Sequence, residues 1–343
     1  MVTRRNFIRA IPLLAFGSSL RAEAAASAIA IRKLHSFGLM VTDLDRSVEF
    51  YQGVLGALVQ FRDTDSVTLR IGHGPQFFSL TTTRPGQRPG ISHIGLSVAD
   101  FELQHLQSQL AEHGIQAGGR ASFDQSPQPL RSWLSSRPSA AGTRIRELFF
   151  ADADRVVYQL LPEVPRGELL PLNEDAGDHK NGSPAGLFEA VDISHFTNFV
   201  ANRDASNRLF MRLFNKRYQA SQGPNAPIIG LGDGRQFLMY AEGPPQPENP
   251  AGYIHHVCLS IRDFSVDAVQ SKLDDYGFTG GGKFFNTLPL TYWVGLRMPE
   301  RGGAEGGTPE VYFSDPDGIP VQLQATSYCG GGGYLGELCE PVL

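Results

Sequence analysis

The stretch ISHIGLSVAD at 91–100 returns, lightly edited, as IHHVCLSIRD at 254–263, with His93 matched by His256. Both alternate apolar and polar residues as a half-buried strand does. Each is followed by a helix-like run, FELQHLQSQLAEHG (101–114) or FSVDAVQSKLDDYG (264–277), that closes on a glycine. Further on, RELFFADADRVVYQLLPE (146–163) and PEVYFSDPDGIPVQLQAT (309–326) each read as two strands around a tight Asp-rich turn. His93 precedes Gln159 by 66 positions and His256 precedes Gln322 by the same 66, so one unit is written twice.

Two related units fill the intervening sequence. FGLMVTDLDRSVEFYQGVLG (37–56) and FTNFVANRDASNRLFMRLFN (196–215) give a strand, a turn and an amphipathic helix. GHGPQFFSL (72–80) then parallels GDGRQFLMY (232–240) as a closing strand. The chain is therefore expected to be α+β, built of four βαβββ modules in two pairs at 30–163 and 187–326. The polar, Pro- and Gly-rich segment 164–186 reads as the linker and 327–343 as a Gly-rich tail with two cysteines. A length of 343 residues suits two such halves and leaves room for two buried cores.

The N-terminus reads differently. TRRNFIRAIPLLAFGSSLRAEAAAS (3–27) has a basic start, a short apolar run and small residues suited to cleavage near Ala24–Ala26, the pattern of an export signal over 1–26. Its paired Arg4 and Arg5 before Asn6-Phe7-Ile8 resemble the twin-arginine signal. That resemblance implies export of a folded protein to the periplasm or beyond by the twin-arginine machinery. The apolar run is far shorter than a membrane span, and nothing later qualifies, so no transmembrane segment is expected in the mature protein. The net charge of −5 becomes −8 once the first 26 residues, with four arginines and one glutamate, are removed. An acidic body of that kind argues against nucleic acid or anionic lipid as partner and leaves a small molecule. Cys329 and Cys339 bracket a flexible glycine-rich segment and are expected to form a disulfide in an oxidising compartment, with two free thiols as the alternative.

The His-led strands, the DLDRSVEFY helix start and the YFSDPDGIPVQL hairpin resemble the vicinal oxygen chelate superfamily, which includes glyoxalase I, extradiol dioxygenases and bleomycin-resistance proteins. The resemblance spans about 290 residues and implies paired modules whose sheets curl around a concave site. In metal-binding members, first-strand histidines and a final-strand glutamate hold a divalent cation on which vicinal substrate oxygens chelate. Carried over position by position, that pattern falls on His195, His256 and Gln322 in the second half. In the first half it falls on Ser36, His93 and Gln159, a degenerate second site, because His35 stands one residue early and strand alternation turns it away. A bulge would be needed to bring His35 back.

The resemblance implies Fe(II) or Mn(II), with Zn(II) or Ni(II) as alternatives. Gln322 departs from the family's glutamate: an amide oxygen can ligate, but without a carboxylate's Coulomb attraction. Glu310 on the neighbouring strand is a candidate ligand, general base or partner of a histidine. The repeat of the arrangement at Glu147 equally fits a structural ion pair common to both halves. Cys258, Tyr292 and Tyr312 are candidate pocket residues, as are the tryptophans Trp133 and Trp293, and each could instead be core. Three functions stay open. The first is a metal-dependent enzyme acting on a substrate with vicinal oxygens, either extradiol-dioxygenase-like or a glyoxalase-like lyase or isomerase. The second is a metal-free small-molecule-binding protein of the bleomycin-resistance kind, and the third a structural or interaction domain.

Overall fold

The computed structural model describes residues 28–120, 129–138, 144–163, 186–232, 235–243 and 252–331. The export signal, nearly all of the expected linker and Cys339 lie outside them. Four times the chain runs strand, helix, strands. The first passage is β1 (Ile31–Val41), α1 (Leu44–Leu55), β2 (Leu58–Arg62), β3 (Ser66–Arg70) and β4 (Phe77–Thr82). The second is β5 (Gly90–Val98), α2 (Leu103–Glu112), the two-residue β6 (Gln116–Ala117), β7 (Arg131–Pro138), β8 (Arg144–Ala151) and β9 (Val157–Pro162). The third is β10 (Ala190–Val200), α3 (Arg203–Phe214), β11 (Tyr218–Ser221), β12 (Pro227–Leu231) and β13 (Gln236–Glu242). The fourth is β14 (Tyr253–Ile261), α4 (Val266–Tyr276), β15 (Thr279–Gly280), β16 (Thr291–Arg297), β17 (Thr308–Ser314) and β18 (Pro320–Ala325).

Local chemistry sets the helix starts. Asp43 and Asn202 cap α1 and α3, each side chain accepting a hydrogen bond from the backbone N–H three residues on. Asp100 and Asp263, which the sequence places at the same point, do not cap. They adopt the left-handed conformation at φ 48° and 52°, and α2 and α4 begin later, after Glu102 and Ser265.

In the sheet, β1 lies between β4, parallel, and β5, antiparallel, and β5 continues to β9. The second half repeats this with β10 between β13 and β14, and β14 continuing to β18. Ile254 of β14 pairs with Ile91 of β5 and joins the halves.

Helices α1 and α3 touch both halves. Phe50 of α1 packs 6.2 Å from Phe313, and the Tyr51 hydroxyl donates to Asp315 at 3.0 Å. Phe210 and Phe214 of α3 pack against Tyr158 and Phe150 of the first half. The outcome is one continuous core rather than the two that length suggests, because α1 and α3 lie on their own halves' strands, as Tyr51 does on Phe78 at 5.0 Å, and also pack against residues of the other half. Two small clusters lie on the opposite faces of the strands: Trp133, Ala151 and Val157 with Phe149, and Ala220, Ile228, Phe237, Met239 and Cys329 with Tyr328. Among the described residues no helix is long and apolar enough to cross a membrane.

Candidate functional site

The pairing of β10 with β14 skips Val191 and, nearer the site, Ser194 between Ile193 and His195 on β10, and His255 between Ile254 and His256 on β14. The pairing of β1 with β5 skips His35 and Ser92 at the corresponding places. A bulge of this kind breaks strict alternation and lets consecutive side chains share a face. Ser194 thus stands beside His195, its Oγ 3.1 Å from the ring Nδ1, and His255 meets His256 with the two Nδ1 atoms 2.7 Å apart.

That second contact fixes where the protons sit. His255 Nε2 lies 2.7 Å from the carbonyl oxygen of Phe284, which can only accept, so Nε2 carries the hydrogen. Burial lowers the His255 pKa to about 4, so the ring is neutral near pH 7 and its Nδ1 is a bare lone pair. His256 Nδ1 must then donate to it. Burial, with His255 and His195 adding to it, holds His256 well below its ordinary pKa, so this ring is neutral too and its Nε2 is an unprotonated lone pair. That nitrogen is buried and has no hydrogen-bond partner.

His195 and Gln322 complete the group. Their Nε2 and Oε1 atoms lie 3.1 Å apart, the two imidazoles stand 5.6 Å apart at 80°, and all three side chains are buried. Burial lowers His195 to about pKa 3, against a supporting contact with Gln322, so it also offers a neutral imidazole. Without a metal, His195 Nε2–H donates to the Gln322 Oε1 and the Ser194 hydroxyl donates to Nδ1; binding a metal through Nε2 moves the hydrogen to Nδ1, from which the Ser194 oxygen can accept. Two imidazole nitrogens and one amide oxygen are a donor set that fits a first-row divalent ion. Among the described residues no three His, Cys, Asp or Glu side chains converge to hold a metal, and the third donor here is the amide.

The walls are aromatic. Phe237 stacks on His195 at 4.2 Å, Tyr312 meets His256 edge-on at 5.3 Å and stacks on Trp293 at 5.0 Å, and Phe284 stacks on His255 at 4.3 Å. Tyr328, just beyond β18, lies 5.7 Å from the His195 ring. Its hydroxyl donates to Glu310 at 3.0 Å and accepts from Arg297 at 3.1 Å. Cys258 pairs with both His195 and Gln322 in the sheet, and burial pushes its thiol pKa well up, so it stays protonated. Cys329, beside Tyr328, is disulfide-bonded, and its expected partner Cys339 lies outside the described residues.

One of the named residues stands differently from expectation, and another takes the structural one of its two readings. Tyr292 does not face this group. It lies opposite Phe313 on the core side of β16, its hydroxyl raised in pKa first by a hydrogen bond with Asp274 of α4, because alternation gives the inner face to Trp293 instead. Glu310 has both oxygens engaged, by Arg297 at 2.9 Å and by the hydroxyls of Tyr312 and Tyr328, each at 3.0 Å. Glu147 makes the corresponding pair with Arg137 at 2.7 Å, so the ion pair occurs in both halves.

In the first half, Ser36 occupies the sheet position of His195, opposite Phe77 and Gly95, and Gln159 donates to Glu147 at 2.8 Å. The bulge that would bring His35 round does occur. It gives His35 the position that Ser194 holds in the second half, and its ring meets Phe77 edge-on at 5.6 Å. His93 lies against Ser92, its Nδ1 3.0 Å from the hydroxyl, and lines a cavity of about 930 Å³ together with Trp133 and Phe149. Sequence reading missed His255, Ser194 and Tyr328. The His255–His256 doublet was the available signal, but alternation assigned its first member to the wrong face.

Comparison with known proteins agrees with this architecture. Residues 33–120 match the model of the Glyoxalase/Bleomycin resistance protein/Dioxygenase superfamily. No curated protein sequence matches the chain. Among solved structures, a Mn(II)-bound glyoxalase from Novosphingobium aromaticivorans is similar with a TM-score of 0.58 at 15% identity, over 87% of this chain and 83% of that one. A variant of homoprotocatechuate 2,3-dioxygenase from B. fuscum is similar with a TM-score of 0.57 at 17% identity, over 90% of this chain and 75% of that one. Residues 33–120 carry the sequence pattern of the glyoxalase and dioxygenase superfamily, and the chain as a whole shares the fold of its glyoxalase and extradiol dioxygenase neighbours.

Proposed function

We propose that the second half is a divalent-metal centre held by His195, His256 and Gln322, in a chain of two paired-module vicinal oxygen chelate domains. We further propose that it acts on a small substrate with vicinal oxygens in the manner of an extradiol dioxygenase. The observation that carries this reading is the fixed tautomer of His256. A chain of acceptors from Phe284 through His255 leaves a bare, buried nitrogen whose remaining use is to bind a proton or a metal, and burial disfavours the proton. Fe(II) or Mn(II) suits two imidazoles and an amide oxygen with positions left for substrate.

A bound ion would serve as the Lewis acid on which vicinal oxygens chelate. The chain's own residues do the rest. Gln322 contributes no charge, so the centre keeps more of its positive charge and favours an anionic chelator. Glu310 holds the hydroxyls of Tyr312 and Tyr328 in place against the two histidines, and Arg297 anchors Glu310. The raised pKa of both tyrosines, caused first by burial, keeps them protonated near pH 7. A glyoxalase-like lyase or isomerase would use the same residues.

Oxygen uptake by the Fe(II)- or Mn(II)-loaded protein on a panel of catechols tests the reaction type. Uptake that persists in His93→Ala and disappears in His256→Ala is expected. Metal binding with no oxygen uptake on any catechol would remove the dioxygenase reading and leave the lyase or isomerase.

A further inference from the structure

Tyr312 stands between an indole and the paired histidines. Its ring lies on Trp293 at 5.0 Å and 3° and meets His256 edge-on at 5.3 Å. Register builds this row: Tyr312 of β17 lies opposite Trp293 of β16 and Gln322 of β18, which alternation puts on one face. The Tyr312 hydroxyl donates to Oε2 of Glu310 at 3.0 Å, and Arg297 donates to Oε1 at 2.9 Å. The Trp293 indole nitrogen is buried with no hydrogen-bond partner among the described residues.

The first half repeats the row without the hydroxyl. Phe149 lies opposite Trp133 and Gln159, parallel to the indole at 5.7 Å and 8°, with His93 edge-on at 5.4 Å. Glu147 stands two residues before Phe149, as Glu310 does before Tyr312, and there accepts from Gln159 and Arg137. Phenylalanine is therefore enough for the stack. The phenol, with a carboxylate hydrogen-bonded to it, occurs in the half that gathers His195, His256 and Gln322.

That pairing has a redox meaning. A phenol that loses an electron becomes a strong acid, so its oxidation is easy where a base already accepts from the O–H. Glu310 is such a base, fixed by its ion pair with Arg297. An indole with no acceptor for its N–H keeps its proton when oxidised and takes an electron from its neighbour instead. We infer that Tyr312 is a redox-active tyrosine, coupled to Trp293 by the stack and to Glu310 by the hydrogen bond. When its ring gives up one electron, the O–H proton crosses to Glu310 Oε2 and a neutral phenoxyl remains. When Trp293 returns an electron the proton crosses back, and a small reductant in solution, such as ascorbate, refills the indole. This use rests on the metal reading of His195 and His256: there iron(II) and a peroxide supply the one-electron oxidant, and the tyrosine spares the two imidazoles.

A photosensitiser tests the pair without metal. A ruthenium tris(bipyridyl) label on Val294→Cys, an exposed position next to Trp293, is selective because Cys258 is buried and Cys329 disulfide-bonded. Flash oxidation of the label in chelator should draw an electron from Trp293 and then from Tyr312, giving the phenoxyl absorption. Tyr312→Phe in this background should abolish that band and lengthen the life of the indole radical, while Tyr328→Phe keeps the band. Glu310→Gln accepts the hydrogen bond but not the proton, and should slow phenoxyl formation by roughly 100-fold or more. Deuterated water should slow it with Glu310 intact. A phenoxyl band that survives Tyr312→Phe, no band at all, or a rate that ignores deuterated water would overturn the inference. Samples that elemental analysis shows to hold iron are then treated with hydrogen peroxide. More oxidised His195 and His256 in Tyr312→Phe than in the wild type, by peptide mass spectrometry, is expected, and equal oxidation would overturn the protective use. A chain that takes up no iron fails the metal reading, and the photochemical result still decides the redox role of Tyr312.

Discussion

A buried histidine whose N–H is spent on a carbonyl and whose other nitrogen accepts a hydrogen bond is a structural residue, whereas the unprotonated Nε2 of His256 makes no hydrogen bond of ordinary geometry and has the Gln322 side chain beside it. The difference lies in His255, which accepts from His256 and donates to Phe284. His255→Phe keeps a ring on Phe284 but removes the acceptor, so His256 no longer has one enforced tautomer. Affinity for Mn(II) should fall roughly 10–100-fold, the range typical when a ligand's own hydrogen-bond partner is removed, with the circular dichroism unchanged. Unaltered Mn(II) affinity would show that the relay does not set the ligand. Gln322→Glu should act in the opposite direction. A carboxylate beside two imidazoles should raise divalent-metal affinity by at least roughly tenfold, and leave the metal-free protein less stable because the new charge is buried without a partner. Calorimetric titration and thermal melts, each with and without metal, read both effects.

At the scale of elements, the bulges decide what counting along strands could reveal. His195, His256 and Gln322 were legible because the repeat fixes their spacing and each half has the same irregularities. His255 was not legible, since alternation alone sends it to the other face, and only the extra residue in β14 turns it back. The same rule applied to regular β16 and β17 correctly separates Glu310 and Tyr312 from Val311 and Phe313, and would have excluded Tyr292 had it been applied against Trp293. Tyr328 belongs to no repeat, so no register pointed to it. Its ring covers His195, and Tyr328→Ala should speed loss of bound metal to a chelator, measured by stopped-flow. An unchanged rate would mean that this residue does not limit access. The contacts of α1 with the other half were equally hidden, because amphipathic spacing shows that α1 has an apolar face but not everything that packs on it. Phe50 is buried against Phe313 of the other half, so Phe50→Ala should cost about 3–5 kcal/mol and lower a single denaturant midpoint for both halves. Two separate transitions would contradict the shared core.

Across the whole molecule, burial has collected neutral histidines. His35, His93 and His255 have pKa values lowered to about 4, His195 to about 3, and His256 is held well below its ordinary value, all chiefly by desolvation. The unfolded chain therefore takes up protons first as pH falls through 6.5, and stability should drop between about pH 6.5 and 4. Asp152 and Asp315, raised to about 7 by burial, have the opposite sign and lose stability as pH rises. Glu147, Asp154 and Asp192 are raised in the same direction, chiefly by burial, and Asp152 and Asp315 are the ones raised to about 7; against the five imidazoles, the melting temperature at pH 5 is expected to lie below that at pH 7.5. A higher value at pH 5 would show that the carboxylates prevail.

The repeat made four modules legible from sequence, yet the two halves have diverged into different interiors. One gathers His195, His255 and His256 with an amide and a tyrosine over them; the other has Ser36 at the position of His195 and Ser92 at that of His255, beside His93. The most direct test of that division is the metal content of protein purified without affinity-tag metals, by elemental analysis of the wild type, His195→Ala, His256→Ala and His93→Ala after equilibration with Mn(II). About one ion per chain in the wild type and in His93→Ala, with none in the other two, is the predicted result. An empty wild type, metal retained without His195 or His256, or metal lost with His93 would contradict it.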